Sequence, residues 1–392
     1  MELLNPSAVP LSLYIHFPWC IRKCPYCDFN SHELRGEIDE PRYLDTLKTD
    51  LLDDLSNHAV KNPDTGKNRK LESIFLGGGT PSLFSASAMS ELIAFIKDHI
   101  EAAPDLEVTL EANPGALEHS KFESYLEAGV NRLSLGVQSF NDASLKQLGR
   151  IHNADNARKA IGQAQSAGFM NMNMDIMYGL PGQTIEQLRN ETDEAANFDT
   201  NHLSFYQLTV EPNTLFHKHP PKLPDDDKVM EMQEFLTSRL SKAGFERYEV
   251  SAYSQPGHQC RHNLNYWNFG DYMGIGAGAH SKLTSESGIT RNWKAKLPRA
   301  YMSEHEDGKH HSNITYVTPQ SLLFEFMLNA LRLKKGFHLD IFESRTGLHR
   351  NVAIAALKKT SDQSLISIDE ETVSCTDRGY LFIDEILQQL LP

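Results

Sequence analysis

The sequence contains no uncharged apolar stretch of the roughly 20 residues that a membrane-spanning helix requires. The segment from Met1 to Phe17 also lacks the basic and apolar regions of a secretory signal peptide. Basic residues are outnumbered, with 38 lysines and arginines against 52 aspartates and glutamates, which gives a formal net charge of −14. Because nucleic acids and anionic membranes select basic surfaces, neither is an expected partner. We therefore predict a soluble, cytoplasmic protein without a transmembrane segment.

Cysteine is scarce, with 5 residues in 392, and an odd number does not suit a framework of structural disulfides. Cys20, Cys24 and Cys27 lie close together in the sequence, and no fourth cysteine follows them nearby. Clustered cysteines in a reducing compartment indicate metal ligands or a redox group. The other two, Cys260 and Cys375, stand alone, and we expect each to be an ordinary buried thiol.

Short apolar runs alternate with segments of helical period from residue 11 to residue 208. The apolar runs predict strands at Leu11–Phe17, Ser73–Leu76, Glu107–Leu110, Arg132–Leu135, Met172–Ile176 and His202–Leu208. The segments between them predict helices at Pro41–Asn57, Ala86–Ile100, Ser120–Ala128, Ala154–Ala167 and Ile185–Asn197. Such an alternation implies an α/β fold of parallel strands joined by right-handed crossovers.

The predicted strands end in glycine or polar residues, and this regularity distinguishes a barrel from an open sheet. Gly77-Gly78-Gly79-Thr80 follow the second strand, Glu111 the third, Gln138 the fourth and Asp175 the fifth. In a (β/α) barrel the C-terminal ends of all strands surround one site, whereas an open sheet concentrates its site at one switch point. Having only six units, the chain is predicted to form an incomplete, TIM-like (β/α)6 barrel with a lateral opening.

The strand–helix rhythm changes after residue 212, where prolines interrupt it. We expect three parts: a barrel at 1–240, a connecting segment at 241–312 and a small C-terminal α+β module, resembling a winged helix, at 313–392. Residues 253–312 are rich in glycine, asparagine, histidine and aromatics, and are predicted to be irregular. The C-terminal module is predicted to contain, in order, Pro319–Arg332, Leu339–Thr346 and Arg350–Thr360 as helices, Ile366–Ile368 and Thr372–Ser374 as strands, and Gly379–Leu391 as an amphipathic helix.

The clustered cysteines have the spacing Cys-x3-Cys-x2-Cys, directly after the first predicted strand. Three thiolates can ligate three irons of a [4Fe–4S] cluster and leave the fourth iron open for an exogenous ligand such as S-adenosylmethionine. A zinc site would need a fourth ligand, for which His16 or His32 is available, but the first cysteine gap is unusual for zinc. A redox pair of Cys24 and Cys27 would leave Cys20 unexplained.

The cysteine motif, with Tyr26 before its last cysteine, resembles that of the radical S-adenosylmethionine (SAM) superfamily. Over nearly the whole chain, further phrases resemble the anaerobic coproporphyrinogen III oxidase group. These phrases are Tyr14-Ile-His-Phe-Pro-Trp-Cys20, Gly77-Gly78-Gly79-Thr80-Pro81, Glu111-Ala-Asn-Pro, Gly136-Val-Gln138-Ser-Phe and Asp175-Ile-Met-Tyr-Gly-Leu-Pro. The resemblance implies a [4Fe–4S] cluster ligated by Cys20, Cys24 and Cys27, with S-adenosylmethionine beside it.

The same resemblance assigns a set of residues to the S-adenosylmethionine pocket. They are Tyr14, Tyr26, Gly78, Gly79, Thr80, Glu111, Gln138, Arg150 and Asp175. The residue types suit these roles, since the carboxylate of Glu111 can face a cationic amine and that of Asp175 can accept from ribose hydroxyls. The guanidinium of Arg150 can bind a carboxylate. Taken without the resemblance, Glu111 suits a solvated strand end or a local salt bridge, and Arg150 suits a surface cation. Tyr14 and Tyr26 would then be core aromatics.

One missing cysteine and one additional motif distinguish this sequence from the oxidases of the group. The oxidases carry another cysteine two residues after the third, where this sequence has Phe29. Downstream, His262-Asn263-Leu-Asn-Tyr266-Trp267 resembles the motif of the HemW-type heme chaperones, whose histidine is implicated in heme binding. A neutral imidazole is a good axial ligand of heme iron, and it equally suits a hydrogen-bonded histidine beside a core tryptophan.

The resemblance to the HemW-type proteins implies a chaperone that binds heme and delivers it to an acceptor hemoprotein, such as a membrane-associated respiratory one. The alternative is an enzyme, the oxygen-independent coproporphyrinogen III oxidase of heme biosynthesis, which performs a radical oxidative decarboxylation. A third reading is another radical enzyme with an unrelated substrate. Binding of heme and rescue of an oxidase-deficient strain distinguish the first two.

Overall fold

The computed structural model describes residues 3–56, 60–62, 65–115, 121–308 and 313–391. Its strands are β1 (Leu11–Phe17), β2 (Trp19–Cys20), β3 (His32–Glu33), β4 (Leu71–Gly78), β5 (Ala102–Ala112), β6 (Arg132–Gln138), β7 (Met172–Tyr178), β8 (His202–Gln207), β9 (Glu246–Arg247), β10 (Ala252–Ser254), β11 (Asp271–Ile275), β12 (His280–Ser285), β13 (Gly288–Trp293), β14 (Asn313–Tyr316), β15 (Phe337–His338), β16 (Ile366–Asp369) and β17 (Thr372–Cys375).

Its helices are α1 (Glu40–Ser56), α2 (Ala86–His99), α3 (Phe122–Glu127), α4 (Asp142–Gln147), α5 (Ala154–Ala167), α6 (Ile185–Asn197), α7 (Leu215–Lys218), α8 (Asp226–Lys242), α9 (Arg261–Trp267), α10 (Pro298–Glu306), α11 (Pro319–Ala330), α12 (Leu339–Thr346), α13 (Arg350–Asp362), α14 (Asp377–Leu381) and α15 (Ile383–Gln388). Asn57 and Ser120, the ends of two predicted helices, lie outside the described residues. Within the described part of the chain, none of the helices combines the length and the apolarity needed to cross a bilayer.

Six parallel strands form the centre of a 12-stranded sheet in the order β14-β13-β12-β11-β1-β4-β5-β6-β7-β8-β10-β9. From β1 through β4, β5, β6 and β7 to β8, every neighbouring pair is parallel. The outer neighbours are β11 beside β1 and β10 beside β8, so the described strands leave the barrel open between β1 and β8. The predicted incomplete (β/α)6 barrel is therefore confirmed.

The two faces of the barrel strands carry different side chains. Along β1, Leu11 and Leu13 join the hydrophobic core that lies between the sheet and the helices. Ser12 alternates with them and points inward, where its Oγ accepts a hydrogen bond of 2.8 Å from Ser73 Oγ of β4. Because successive side chains on a strand face opposite sides, the same polar row continues at Glu107, which is opposite Ser73 in β5. The barrel interior is therefore polar and suited to a ligand.

Helix α9 lies against this interior row, and three contacts fix its position. Asn265 Nδ2 donates to Ser12 Oγ at 2.9 Å, and the His262 ring lies 2.9 Å from Ser73 Oγ. The backbone N–H of His262 donates to Glu107 Oε1 at 3.1 Å. The helix therefore closes off the interior of the barrel below the C-terminal ends of its strands.

The connecting segment is largely regular, so the prediction that 253–312 is irregular was wrong. Strands β11, β12, β13 and β14 extend the main sheet beyond β1, with β11 parallel to β1 and the others antiparallel. We call these four strands the sheet extension. Its glycines occupy tight turns, as at Gly276 and Gly278, whose φ angles are +103° and +80°. The composition alone suggested a loop. The segment is ordered by pairing with β1, which lies far away in the sequence, so the local residues do not reveal it.

The C-terminal part contains a three-stranded sheet in the order β15-β17-β16, covered by α11, α12 and α13. A second hydrophobic core lies here, built around Phe326, Phe342 and Leu357. The predicted single helix Gly379–Leu391 was wrong, because α14 and α15 are separated at Phe382, whose φ and ψ of −117° and 36° are not helical. Tyr380 anchors α14 through a hydrogen bond of 2.6 Å from its hydroxyl to the carbonyl of Arg332, and the chain bends after it.

Candidate functional site

A cavity of about 1250 Å³ opens at the C-terminal ends of the barrel strands and continues over the sheet extension. All 13 residues predicted from the motifs line this cavity: Tyr14, Cys20, Cys24, Tyr26, Cys27, Gly78, Gly79, Thr80, Glu111, Gln138, Arg150, Asp175 and His262. A pocket for one drug-sized molecule has roughly 300–1,000 Å³. The cavity therefore has room for more than one cofactor.

The loop that carries the three cysteines forms one wall of the cavity. It is closed at its base because β2 and β3 pair in parallel, with Cys20 opposite Glu33. Lys23 Nζ donates hydrogen bonds to the carbonyls of Phe29 and Ser31, at 3.0 and 3.1 Å. These contacts hold the loop in a compact turn, and all three thiols remain partly accessible.

Each cysteine sulfur has its own polar neighbour. Thr80 Oγ1 donates to Cys20 Sγ at 3.6 Å, and Arg150 Nη1 donates to Cys24 Sγ at 3.6 Å. Cys27 Sγ lies 3.7 Å from Ser31 Oγ. Burial raises the pKa of the Cys20 and Cys27 thiols, so a bound metal is needed to keep them as thiolates.

The spacing of the three sulfurs fits a cluster better than a single ion. In the described part of the chain, one group of His, Cys, Asp or Glu side chains has three ligand atoms that all lie within 4.8 Å of one another. This group is His338, Asp340 and Glu371. At least one pair of the three cysteine sulfurs is therefore more than 4.8 Å apart. With Zn–S bonds of about 2.3 Å, sulfurs on one tetrahedral zinc lie about 3.8 Å apart. Thiolates on separate irons of a cubane stand further apart, so these residues fit a [4Fe–4S] cluster.

Glu111 lies opposite the cysteine loop, at the end of β5. Its Oε2 accepts a hydrogen bond of 3.0 Å from the backbone N–H of Gly78. Gly78 has φ +111°, and a Cβ there would lie 2.5 Å from the His16 ring, so only glycine fits. Burial, together with the charge of Asp175, raises the pKa of Glu111 to about 8. A cationic group placed here, such as the amine of S-adenosylmethionine, would favour the ionised carboxylate.

Replacing Glu111 with glutamine is expected to change how the stability of the ligand-free protein depends on pH. The carboxyl ionises near pH 4.5 in the unfolded chain and near pH 8 in the folded one. Its contribution to stability is therefore present below the unfolded pKa and is lost as pH rises through the folded pKa. Between about pH 6 and 8 the wild type should lose about 2–3 kcal/mol relative to E111Q. Urea unfolding across this range measures the difference, and parallel stability curves for the two proteins would contradict it.

Arg150 and Asn113 connect two of the cysteines through hydrogen bonds. Arg150 Nη2 donates to the Asn113 side-chain oxygen and, at 3.0 Å, to the carbonyl of Gly136. Asn113 Nδ2 in turn donates to Thr80 Oγ1 at 3.0 Å, and Thr80 donates to Cys20. Asn113 was not predicted as a site residue, although it is part of the Glu111-Ala-Asn-Pro phrase. In this structure the guanidinium predicted to bind a carboxylate lies against the sulfur of Cys24.

Gln138 and Asp175 complete the rim on the far side. Gln138 has φ +67°, a left-handed conformation that is costly for a residue with a Cβ and is often found at functional sites. Asp175 accepts hydrogen bonds from Ser134 Oγ at 3.0 Å and from Asn173 Nδ2 at 2.9 Å. Both Asp175 oxygens are thus held in place.

A second polar residue that was not predicted lies deeper in the barrel. Arg132 is 2% exposed, lines the cavity, and its Nε has no hydrogen-bond partner among the described residues. It lies on the same strand as Ser134 and Gln138, at the alternate positions that face inward. Arg132 could have been predicted from the sequence, because it alternates along β6 with Ser134 and Gln138 and therefore faces the same side of the strand.

His262 is sealed within the barrel, although it lines the cavity. It is 1% exposed, and its Nδ1 and Nε2 lie 2.9 Å from Ser73 Oγ and 2.9 Å from Tyr266 Oη respectively. Because Ser73 Oγ donates to Ser12, Nδ1 donates to Ser73 and the lone pair of Nε2 accepts from Tyr266. Burial lowers the pKa of His262 to about 3, so the ring is neutral. Neither nitrogen is available to a metal without breaking a hydrogen bond.

Comparison with known protein families finds two matches in the sequence. Residues 14–195 match the radical SAM superfamily, and residues 317–382 match the HemN C-terminal domain. Proteins named heme chaperone HemW are similar over almost the whole chain. The one from Haemophilus influenzae is 44% identical over 98% of this chain and 99% of its own length, and that from Escherichia coli is 43% identical over 97% and 98%. The one from Bacillus subtilis is 34% identical over 97% and 99%.

Among solved structures, coproporphyrinogen III oxidase (HemN) from Escherichia coli, a radical SAM enzyme, superimposes on this chain with a TM-score of 0.80. The superposition covers 98% of this chain and 92% of that one, at 20% sequence identity. The barrel, the sheet extension and the C-terminal part thus have one common fold in the two proteins.

Proposed function

This chain belongs to the HemW family of the radical SAM superfamily, and from that membership we propose that it binds heme and transfers it to an acceptor hemoprotein. Its cofactors are those of the superfamily, a [4Fe–4S] cluster and S-adenosylmethionine. Cys20, Cys24 and Cys27 would hold the cluster. A cluster with S-adenosylmethionine on its open iron supplies one-electron chemistry when both are bound.

Around the cofactors, the roles of the protein residues follow from the geometry of the cavity. Thr80 and Arg150 donate to two of the cysteine sulfurs and so orient them. The carboxylates of Glu111 and Asp175 face the same space and can accept from the amine and the ribose of S-adenosylmethionine. The half-buried Gly78 and the half-buried ring of Tyr26 close the pocket around the cofactor.

The size and composition of the cavity carry the proposal of heme binding. Its volume of about 1250 Å³ leaves room beside S-adenosylmethionine for a large second ligand. At the mouth, Phe29 is 59% exposed and offers an apolar surface where the oxidases have a cysteine. Lys23 and Lys296 also line the mouth. A flat apolar ring with carboxylate side chains, which is the chemistry of heme, matches such a surface.

The division of the chain into three parts forms a further element of the proposal. We assign the cofactors to 1–240, the outer wall of the cavity to 241–312, and contact with the acceptor to 313–392. Among the described residues of the C-terminal part, Asn329 alone lines the cavity. The proposed acceptor is a membrane-associated respiratory hemoprotein, and the proposed location is the cytoplasm.

The second candidate function is oxygen-independent coproporphyrinogen III oxidase, which the fold similarity to HemN favours. The absence of a cysteine at Phe29 opposes it. Protein purified and reconstituted without oxygen is expected to bind heme at near one per chain, as measured by absorbance titration. Coproporphyrinogen supplied under reducing conditions should remain unconverted. Rescue of an oxidase-deficient strain by this chain would reverse the choice between the two functions.

A further inference from the structure

The sheet extension carries the interior face of the barrel outward beyond β1. Ser12 of β1, which faces inward, is opposite Tyr272 of β11, and Tyr272 is opposite Lys282 of β12. His280 lies two residues before Lys282 and is opposite Trp293 of β13. Because neighbours across a sheet and residues two apart on a strand share a face, His280 and Trp293 lie on the inward face. Tyr272, His280 and Lys282 of this face line the cavity, and we call this face its outer wall.

Five histidines line the cavity, and their ring nitrogens differ in availability: His16, His32, His202, His262 and His280. In His16, His202 and His262, both ring nitrogens lie within hydrogen-bond distance of a polar atom of the protein. His32 Nε2 lies 3.2 Å from the carbonyl oxygen of Lys296. Among the described residues, no hydrogen bond or ion pair is found for the ring of His280, which is exposed. Of these five histidines, only His280 has both ring nitrogens without a hydrogen bond or ion pair to any described residue, so both are open to an incoming metal.

The surroundings of His280 suit a porphyrin. The ring of Trp293 is nearly parallel to the imidazole, with centroids 6.3 Å apart and an interplanar angle of 26°. Exposed Lys296 lines the same wall and can pair with a carboxylate. An imidazole, an aromatic face and a cation therefore stand together on one wall.

The same wall is fixed to the cysteine loop. Asn30 Nδ2 donates to the carbonyls of Ala277 and Lys296, both at 2.9 Å. A Cβ on Gly278 would collide with the Asn30 side chain, so the turn before β12 packs directly against the loop. A ligand on this wall would therefore lie beside the proposed cluster, and its position would respond to changes in the loop.

We propose that His280, and not His262, is the protein ligand of the heme iron, and that Lys296 pairs with a heme propionate. The inference rests on the proposed function and names the residues that perform it. His262 instead holds α9 against the barrel interior. His280 occupies no recognisable short motif, and its availability follows only from the fold.

Replacing His280 with alanine tests the assignment. Substituting a residue that hydrogen-bonds to a metal ligand typically lowers metal affinity about 10–100-fold. Loss of the ligand itself should cost at least as much, so H280A should bind hemin at least about tenfold more weakly in an absorbance titration. The low-spin signature of an imidazole-ligated heme, in electron paramagnetic resonance or resonance Raman spectra, should disappear. Added imidazole should restore it. H219A is the matched control, because His219 is an exposed histidine that does not line the cavity, and it should bind as the wild type does.

Two further variants separate the alternatives. K296E should weaken binding while leaving the low-spin signature unchanged, because it removes a propionate partner and leaves the iron ligand. H262A, once circular dichroism shows that it is folded, should retain the signature. If H280A keeps the affinity and spectrum of the wild type while folded H262A loses them, the assignment is overturned and heme binding still stands. If the wild type itself binds no heme, the proposed function fails as well.

Discussion

Replacing Cys24 with serine is expected to remove the iron–sulfur cluster, and with it the binding of S-adenosylmethionine. Cys24 is one of three thiols on one loop, and Arg150 donates to its sulfur. Serine cannot replace the thiolate, because its hydroxyl ionises far less readily and is a harder ligand for iron. Two remaining thiols on adjacent parts of the loop cannot retain a cubane that already has one open iron.

Iron and acid-labile sulfide analysis after anaerobic reconstitution measures this effect, together with the visible absorbance of the cluster. C24S should contain almost no iron, and equilibrium dialysis should find no bound S-adenosylmethionine. C375S is the matched control: Cys375 is 7% exposed within the second hydrophobic core and should leave the iron content unchanged. A full complement of iron in C24S would mean that another side chain completes the site. His16 is a poor substitute, because both of its ring nitrogens already have partners.

The barrel could be predicted because parallel strands buried on both faces appear as apolar runs. Strand β1 has the predicted bounds, Leu11–Phe17. Other strands extend further than predicted, as in β6, where the predicted Arg132–Leu135 continues to Gln138. The added residues are Gly136, Val137 and Gln138, of which the glycine and the glutamine resemble a loop in the sequence. They continue the strand because pairing with β7 holds them, with Gln138 opposite Ile176.

The site could be predicted as a set of residues but not as a set of contacts. Motifs identified 13 residues that line one cavity, and most of them lie in or after the C-terminal parts of strands, which converge in a barrel. The proton on Glu111, the contact of Arg150 with Cys24, and the sealed nitrogens of His262 all depend on burial and on partners far away in sequence. His280 carried no signal at all, because the sheet extension that exposes it was predicted to be irregular.

Replacing Asp271 with asparagine is expected to destabilise the fold by about 3–5 kcal/mol, because it leaves buried cations without a counter-ion. Asp271 is 0% exposed and accepts from Arg69 Nη2 at 2.9 Å, Lys282 Nζ at 2.8 Å and the backbone N–H of Thr284 at 2.8 Å. Burial alone would raise the pKa of Asp271, but Lys282 and Arg69 hold it below its ordinary value. The carboxylate is therefore ionised, and it connects β11 with β12 and with Arg69, which lies just before β4.

Urea unfolding of D271N and the wild type measures the loss, and an exposed ion pair supplies the control. Lys70 and Glu101 lie 2.6 Å apart with side chains 55% and 59% exposed, so E101Q should cost less than about 1 kcal/mol. Loss of the Asp271 contacts should also disturb the position of the proposed heme ligand, because His280 lies two residues before Lys282 on β12. D271N should therefore bind heme more weakly even where it remains folded. A cost as small as that of E101Q would mean that water reaches Arg69 and Lys282, and the sheet extension would then be held by its backbone pairing alone.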